Sequence, residues 1–139
     1  MVLANGCFDL IHAGHIRYLR GARMSGDILV IALNSDSSVT RLKGTGRPIL
    51  NQNQRAEILS AFECVDYIII FNESDVSRIL LSLKPDIHAK GSDYTEETVP
   101  EKDVVNSYGG KVAIVGGPKI KSTSEIIMEI NQKTNEDTK

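Results

Sequence analysis

Two histidines, His12 and His15, stand three residues apart at the end of the segment Asn5-Gly-Cys-Phe-Asp-Leu-Ile-His-Ala-Gly-His15, directly after the apolar run Val2-Leu3-Ala4. At a helix start, side chains three apart can face the same way. Gly14 removes a Cβ and lets a phosphate approach the backbone. Where a strand turns into a helix, an anion meets backbone N–H groups and the positive end of the helix dipole. A histidine pair placed there can hold an anionic transition state. Two other readings compete: a metal site that adds Asp9 or Cys7, for which no second cluster supplies a fourth ligand, and a plain arrangement with one histidine packed and the other solvated. The Asn-Gly-Cys-Phe-Asp prefix favours chemistry.

Other segments carry cations or polar groups. Lys43-Gly-Thr-Gly-Arg47 puts two cations in a flexible loop; Ile49 stands where a dinucleotide fingerprint needs glycine, and the plain alternative is a solvated turn. Arg55 falls in the first turn of a helix, where the dipole disfavours a cation unless an anion is near. Lys90-Gly-Ser-Asp93 follows a short strand, and Asp93 could meet a ribose, a base or a helix end. Asp9 could orient a histidine, take a magnesium-linked contact or cap a helix. Cys7 reads as a small buried residue with a ligand contact left open, and Cys64 as core. Ser122-Thr123-Ser124 reads as a helix start, Ser122 and Glu125 having capping-box spacing, and its N–H groups are also an anion site. Ile120 there departs from a P-loop.

These segments need a frame. Apolar runs predict strands at 2–7, 28–33, 66–71, 86–89 and 111–115, nearly all apolar as strands covered on both faces should be. Helical patterns fall near 13–25, 51–62, 75–83, 100–107 and 122–132, with Asn51 and Gln54 spaced as a capping box and Pro100 suited to a first helical position. Alternating strands and helices predict a Rossmann-like, doubly wound, five-stranded parallel sheet with helices on both faces. The polar segments, with Asn34-Ser35-Asp36 among them, follow the strands and should converge on one crevice. One domain is expected over 1–132, with 133–139 a polar tail that frays. The first strand opens so early that natural residues are expected before Met1.

The chain has 139 residues, 41% of them apolar, and a net charge of −2 with both signs interspersed. Nothing there argues for a nucleic-acid or membrane-surface binder. No run approaches the ~18 apolar residues of a membrane span, and no signal peptide is legible. Two cysteines form no CxxC. A soluble, cytoplasmic setting is the expectation.

Gly6-Cys-Phe-Asp9 followed by His12-Ala-Gly-His15 resembles the HxGH signature of the cytidylyltransferase-like nucleotidyltransferases. Leu42-Lys-Gly-Thr-Gly-Arg-Pro-Ile49, Lys90-Gly-Ser-Asp-Tyr94, Thr98-Val-Pro-Glu101 and Gly109-Gly110 resemble the adenylyltransferases of bacterial ADP-heptose synthesis. That resemblance implies transfer of AMP from ATP to D-glycero-β-D-manno-heptose 1-phosphate, with release of pyrophosphate. It implies catalytic roles for His12, His15, Lys43 and Arg55. Nucleotide contacts would come from Cys7, Phe8, Asp9, Gly14, His15, Lys90, Asp93, Ser122 and Thr123, and acceptor contacts from Asp9, Asn34, Asp36, Lys43 and Arg47. Magnesium would arrive as Mg-ATP rather than at a metal site of the protein, and relatives of this kind are homodimers. The sugar kinase that some relatives fuse to this domain would be a separate protein. Relatives acting on glycerol phosphate carry Arg-Thr-Glu-Gly-Ile-Ser-Thr before the last helix. Here the run reads Gly117-Pro-Lys-Ile-Lys-Ser-Thr123, with Lys119 and Lys121 the only cations. The same chemistry on glycerol 3-phosphate or FMN, a non-catalytic nucleotide-binding module and a zinc protein are the alternatives.

Overall fold

The structure is a computed structural model that describes residues 1–117, 127, 128, 130 and 131. In chain order the elements are β1 (Val2–Gly6), α1 (Ala13–Met24), β2 (Leu29–Asn34), α2 (Asp36–Lys43), α3 (Gln52–Ser60), β3 (Tyr67–Phe71), α4 (Ser77–Leu83), β4 (Ile87–Lys90), α5 (Lys102–Ser107) and β5 (Lys111–Ile114). The five strands form one parallel sheet in the order β3-β2-β1-β4-β5. The sheet grows outward from β1 to β3, then the chain returns to add β4 on the other side of β1. The direction therefore reverses between β1 and β4. In open α/β sheets the ligand crevice forms outside the carboxyl ends of such a strand pair.

Alternation along the strands builds a core on each face. Val2, Ala4, Leu29, Ile31 and Leu33 pack with Leu19 and Ala22 of α1 and Leu59 of α3. Leu3, Val30 and Ala32 face the other way, toward Leu80 of α4 and Val105 of α5. Both sides of β2 are covered, so all six of its residues are buried. The expected doubly wound sheet with helices on both faces is the one observed.

Three details differ from the sequence reading. The polar run after β2 is the start of a further helix, α2: the Ser35 side chain caps it by accepting from the Ser38 N–H, and Asp36 lies in its first turn, where the dipole favours an acid. β3 is an edge strand, with Tyr67 63% exposed, so it is not covered as an inner strand would be. Pro100 precedes α5 in a turn, closed by the Lys102 N–H donating to the Val99 carbonyl at 3.1 Å. The Asn51–Gln54 capping box forms as expected. The Ser122–Glu125 box, Ser122, Thr123, Lys119 and Lys121 lie outside the described residues; of the last expected helix, positions 127, 128, 130 and 131 are helical.

Candidate active site

α1 begins at a cap made of histidines. His12 is the N-cap, and its Nδ1 accepts from the Gly14 N–H at 3.0 Å. The Nδ1 of His15 accepts from the His12 N–H at 3.2 Å, closing a reciprocal capping box. The two rings stack with centroids 3.9 Å apart. A ring nitrogen that accepts from backbone carries no proton, so each neutral imidazole bears its hydrogen on Nε2. The cap fixes both tautomers and makes both Nε2 atoms donors. Burial, the neighbouring His12 and the Lys43 charge lower the His15 pKa from 6.5 to about 4, against a hydrogen bond with the Leu10 backbone. His15 is therefore neutral near pH 7.

Both histidines line a cavity of about 420 Å³ at the carboxyl ends of β1, β4 and β5, where the sheet reverses direction. Gly14, Lys43, Lys90 and Asp93 line it too, so six residues expected at a site do meet around one space. Lys43 arrives from the last turn of α2, which Gly44 ends by donating its N–H to the Thr40 carbonyl at a φ of +98°. Lys90 is the last residue of β4, and its Nζ lies 4.7 Å from the centre of the Tyr94 ring. Asp93 is the one carboxylate among the described lining residues.

Tyr18 also lines this cavity, and the sequence reading missed it. Its hydroxyl donates to the Ala89 carbonyl at 2.6 Å and accepts from the Asn5 N–H at 3.3 Å. The β1–β4 register runs no further than Ala4 opposite Ala89. The phenol thus bridges the two strands where they part. Its position three residues after His15, on the same helix face, was the available signal.

The remaining expected residues lie outside the described lining, and several are engaged elsewhere. Arg55 is fully buried and spends its guanidinium within the protein. Its Nε donates to the Leu50 carbonyl at 3.0 Å, Nη1 to the carbonyls of Cys7 at 2.8 Å and Asn34 at 2.7 Å, and Nη2 to Asp36 Oδ1 at 2.8 Å. Arg55 is therefore not the phosphate-facing cation expected from its place in a first helical turn: backbone carbonyls and a carboxylate satisfy it as well as a ligand anion would. Asn34 and Asp36 are accordingly anchor points of that clamp. Asp9, with a fully buried side chain, accepts from the N–H groups of Ile49 (2.8 Å) and Leu50 (2.9 Å) and pairs with Arg47 at 3.4 Å. It fastens the loop after α2 to the end of β1 rather than reaching the cavity.

Phe8 lies between these two fastened points at a φ of +48°, uncommon for a bulky residue. Its buried ring supports His15 at 5.2 Å between centroids, and Gly6 makes room for it: a Cβ there would stand 3.0 Å from the ring. Cys7 is half-buried, and burial pushes its thiol up despite the cations Lys43, Arg55 and Arg47. Among the described residues no group of three or more His, Cys, Asp or Glu is placed to hold a metal ion, and no helix is long and apolar enough to cross a membrane.

The arrangement offers neutral N–H donors and two lysines to an anion at a helix start. Residues 3–135 match a family model described as cytidylyltransferase-like. The chain is 49% identical over 130 residues to the bifunctional protein HldE of Syntrophotalea carbinolica, covering 94% of this chain and 26% of that protein. To the bifunctional protein HldE of Pelobacter propionicus it is 50% identical over 133 residues, covering 96% and 27%. The chain thus spans about a quarter of the length of the curated relatives it matches. Among solved structures, the crystal structure of the lipopolysaccharide core biosynthesis protein from Thermoplasma volcanium GSS1 is similar with a TM-score of 0.69 at 32% identity, covering 86% of this chain and 97% of that one.

Proposed function

The chain belongs to the cytidylyltransferase-like family, and from that premise we propose that it is an adenylyltransferase acting on a sugar 1-phosphate: it transfers AMP from ATP to D-glycero-β-D-manno-heptose 1-phosphate, giving ADP-heptose and pyrophosphate. The observation that carries the reading is the histidine cap, two imidazoles fixed as Nε2 donors at the sheet's point of reversal. About 50% identity with two bifunctional HldE proteins and structural likeness to a lipopolysaccharide core biosynthesis protein support the choice of acceptor.

In this reaction a phosphate oxygen of the acceptor attacks the α-phosphorus of ATP. The new P–O bond forms as the bond to the bridging oxygen breaks, and pyrophosphate leaves. The attacking oxygen is already anionic, so no side chain has to remove a proton. The protein's work is alignment, worth ~7–11 kcal/mol in favourable cases, and donors aimed at the added charge. His12 and His15 supply those donors through Nε2, and Lys43 and Lys90 supply positive charge at the cavity wall. Asp93 lies on the nucleoside side. Magnesium would enter as Mg-ATP: a cavity with one carboxylate among its described lining residues suits an ion that keeps most of its waters and rides on the phosphates. A single domain over 1–132, a homodimer and a cytoplasmic setting complete the reading.

The test is pyrophosphate release with magnesium and ATP, with and without the heptose 1-phosphate, and with CTP and GTP in parallel. Release that requires ATP and the heptose phosphate together supports the proposal. Release with another nucleotide or with glycerol 3-phosphate or FMN instead would overturn the substrate assignment, and silence with every combination would overturn the activity.

A further inference from the structure

Behind the β4 wall of the cavity three ionisable side chains are buried together. His88 lies opposite Leu3 in the sheet and so shares its face, the one covered by α5. Lys90, two residues on, returns to the same face. His88 is fully buried, Lys90 is 8% exposed and Glu101, the residue just before α5, is 7% exposed. Glu101 Oε2 stands 3.6 Å from His88 Nε2 and 3.8 Å from Lys90 Nζ. These are ion-pair distances, too long for hydrogen bonds. Glu101 Oε2 and both His88 ring nitrogens have no hydrogen-bond partner. Glu101 gives α5 no side-chain cap.

A buried, loosely paired carboxylate is a poor way to stabilise a fold, because desolvation offsets most of the attraction. It is a good way to aim a lysine. We propose that Glu101 is a positioning residue for nucleotide binding: it holds the Lys90 ammonium at the cavity wall, ready for a phosphate oxygen of the nucleotide, and His88 takes over the carboxylate when that anion draws Lys90 away. The inference rests on the nucleotide reading of the cavity and adds a role for a side chain outside its lining.

The local electrostatics agree. Burial lowers the Lys90 pKa and Glu101 opposes that. Burial alone would raise the Glu101 carboxyl, but His88 and Lys90 outweigh it and hold it below the usual carboxylate range. The groups around Lys90 are Glu101 before α5, His88 on its own strand and Tyr94 from the loop after β4; across the cavity stand the N-cap His12, His15 and Tyr18 of α1, Lys43 of α2, and Asp93. Removing the Glu101 charge leaves burial unopposed, so Lys90 should lose its proton at lower pH.

The experiment is calorimetric titration of the whole chain with ATP and magnesium, from neutral to alkaline pH, for wild type, K90M, E101Q and the double variant. K90M and E101Q should each weaken ATP about tenfold, the scale of one hydrogen bond to a charged group. The double variant should bind no worse than K90M, and E101Q should lose affinity at a lower pH than wild type. Wild-type affinity in E101Q with weak binding in K90M, or additive losses in the double variant, would overturn the positioning role and leave the nucleotide reading standing. Wild-type affinity in K90M would remove Lys90 from the site and the inference with it, and no binding by the wild-type chain would overturn both readings. If E101Q does not fold, E101D keeps the charge but withdraws the carboxylate: affinity between wild type and K90M supports the proposal, and unchanged affinity overturns it.

Discussion

On the proposed mechanism His12 uses one ring nitrogen for structure and the other for chemistry, and the two uses can be separated. Its Nδ1 caps α1. Replacing an N-cap by alanine costs about 1 kcal/mol of stability, so His12→Ala should lower both the melting temperature and turnover. Asparagine caps as well as any residue but lacks the reach of Nε2. His12→Asn is therefore expected to melt close to wild type while losing on the order of 10²–10³ in kcat, with ATP affinity little changed. Near-normal turnover in His12→Asn would remove the imidazole from the reaction. His15 carries a separate pH signature. Its folded pKa of about 4 lies below the ordinary 6.5. As pH falls from 6.5 the unfolded chain takes up a proton that the folded chain refuses, so stability falls down to about pH 4 and the contribution is flat below that. His15→Gln keeps the capping box, because glutamine suits the third helical position. Urea unfolding across this range should show a shallower loss of stability in His15→Gln than in wild type, and equal slopes would show that His15 titrates normally.

At the scale of elements, Arg55 is the fastening of the site. From α3 it holds the Cys7 carbonyl just beyond β1, the end of β2 at Asn34, the start of α2 at Asp36 and the entry to its own helix at Leu50. Arg55→Met takes the guanidinium from the buried Asn34 carbonyl and the part-buried Cys7 carbonyl, and should destabilise the chain by roughly 3 kcal/mol or more in denaturant titrations. A cation that only met phosphate would behave the opposite way, leaving the unfolding midpoint alone and weakening ATP. The sequence could not separate these outcomes, because the partners that bury Arg55 lie up to 48 positions away. Asp9 was opaque for the same reason: its partners Ile49 and Leu50 belong to a loop with no periodic pattern. What was legible was local. β2 announces itself through the unbroken apolar run Ile28-Leu-Val-Ile-Ala-Leu33, and the His12–His15 spacing reads as a helix start from adjacent residues alone. α2 escaped because Asp-Ser-Ser-Val-Thr-Arg-Leu-Lys is short and polar, with only Ser38 and Val39 buried; its one clear sign, Ser35 before an acidic first turn, is a cap without a stripe behind it.

For the whole molecule, the question is what keeps a cavity open at the reversal of the sheet while holding its two walls together. Tyr18 bridges β1 and β4 where they separate. On the other side, α1 lies directly on the residues that follow β5. A Cβ on Gly21 would stand 2.9 Å from the Gly116 nitrogen, and one on Gly116 would stand 3.1 Å from the Tyr18 Cα. Both neighbours are backbone, so neither can turn aside. Gly116 also has a φ of +94°, and it lines the cavity. Gly116→Ala therefore combines backbone strain with a wedge under the helix that carries both histidines, and should destabilise by roughly 1–3 kcal/mol. Gly117 provides the comparison: its φ is +71°, but nothing lies within 4 Å of its Cβ position. Gly117→Ala should share the strain and lack the wedge. If the close approach of α1 to this loop sets the site, stability falls in both variants, and pyrophosphate release falls well beyond the loss of folded protein only in Gly116→Ala. Equal activity per folded molecule in the two variants would mean that the loop after β5 packs against α1 without placing the histidines.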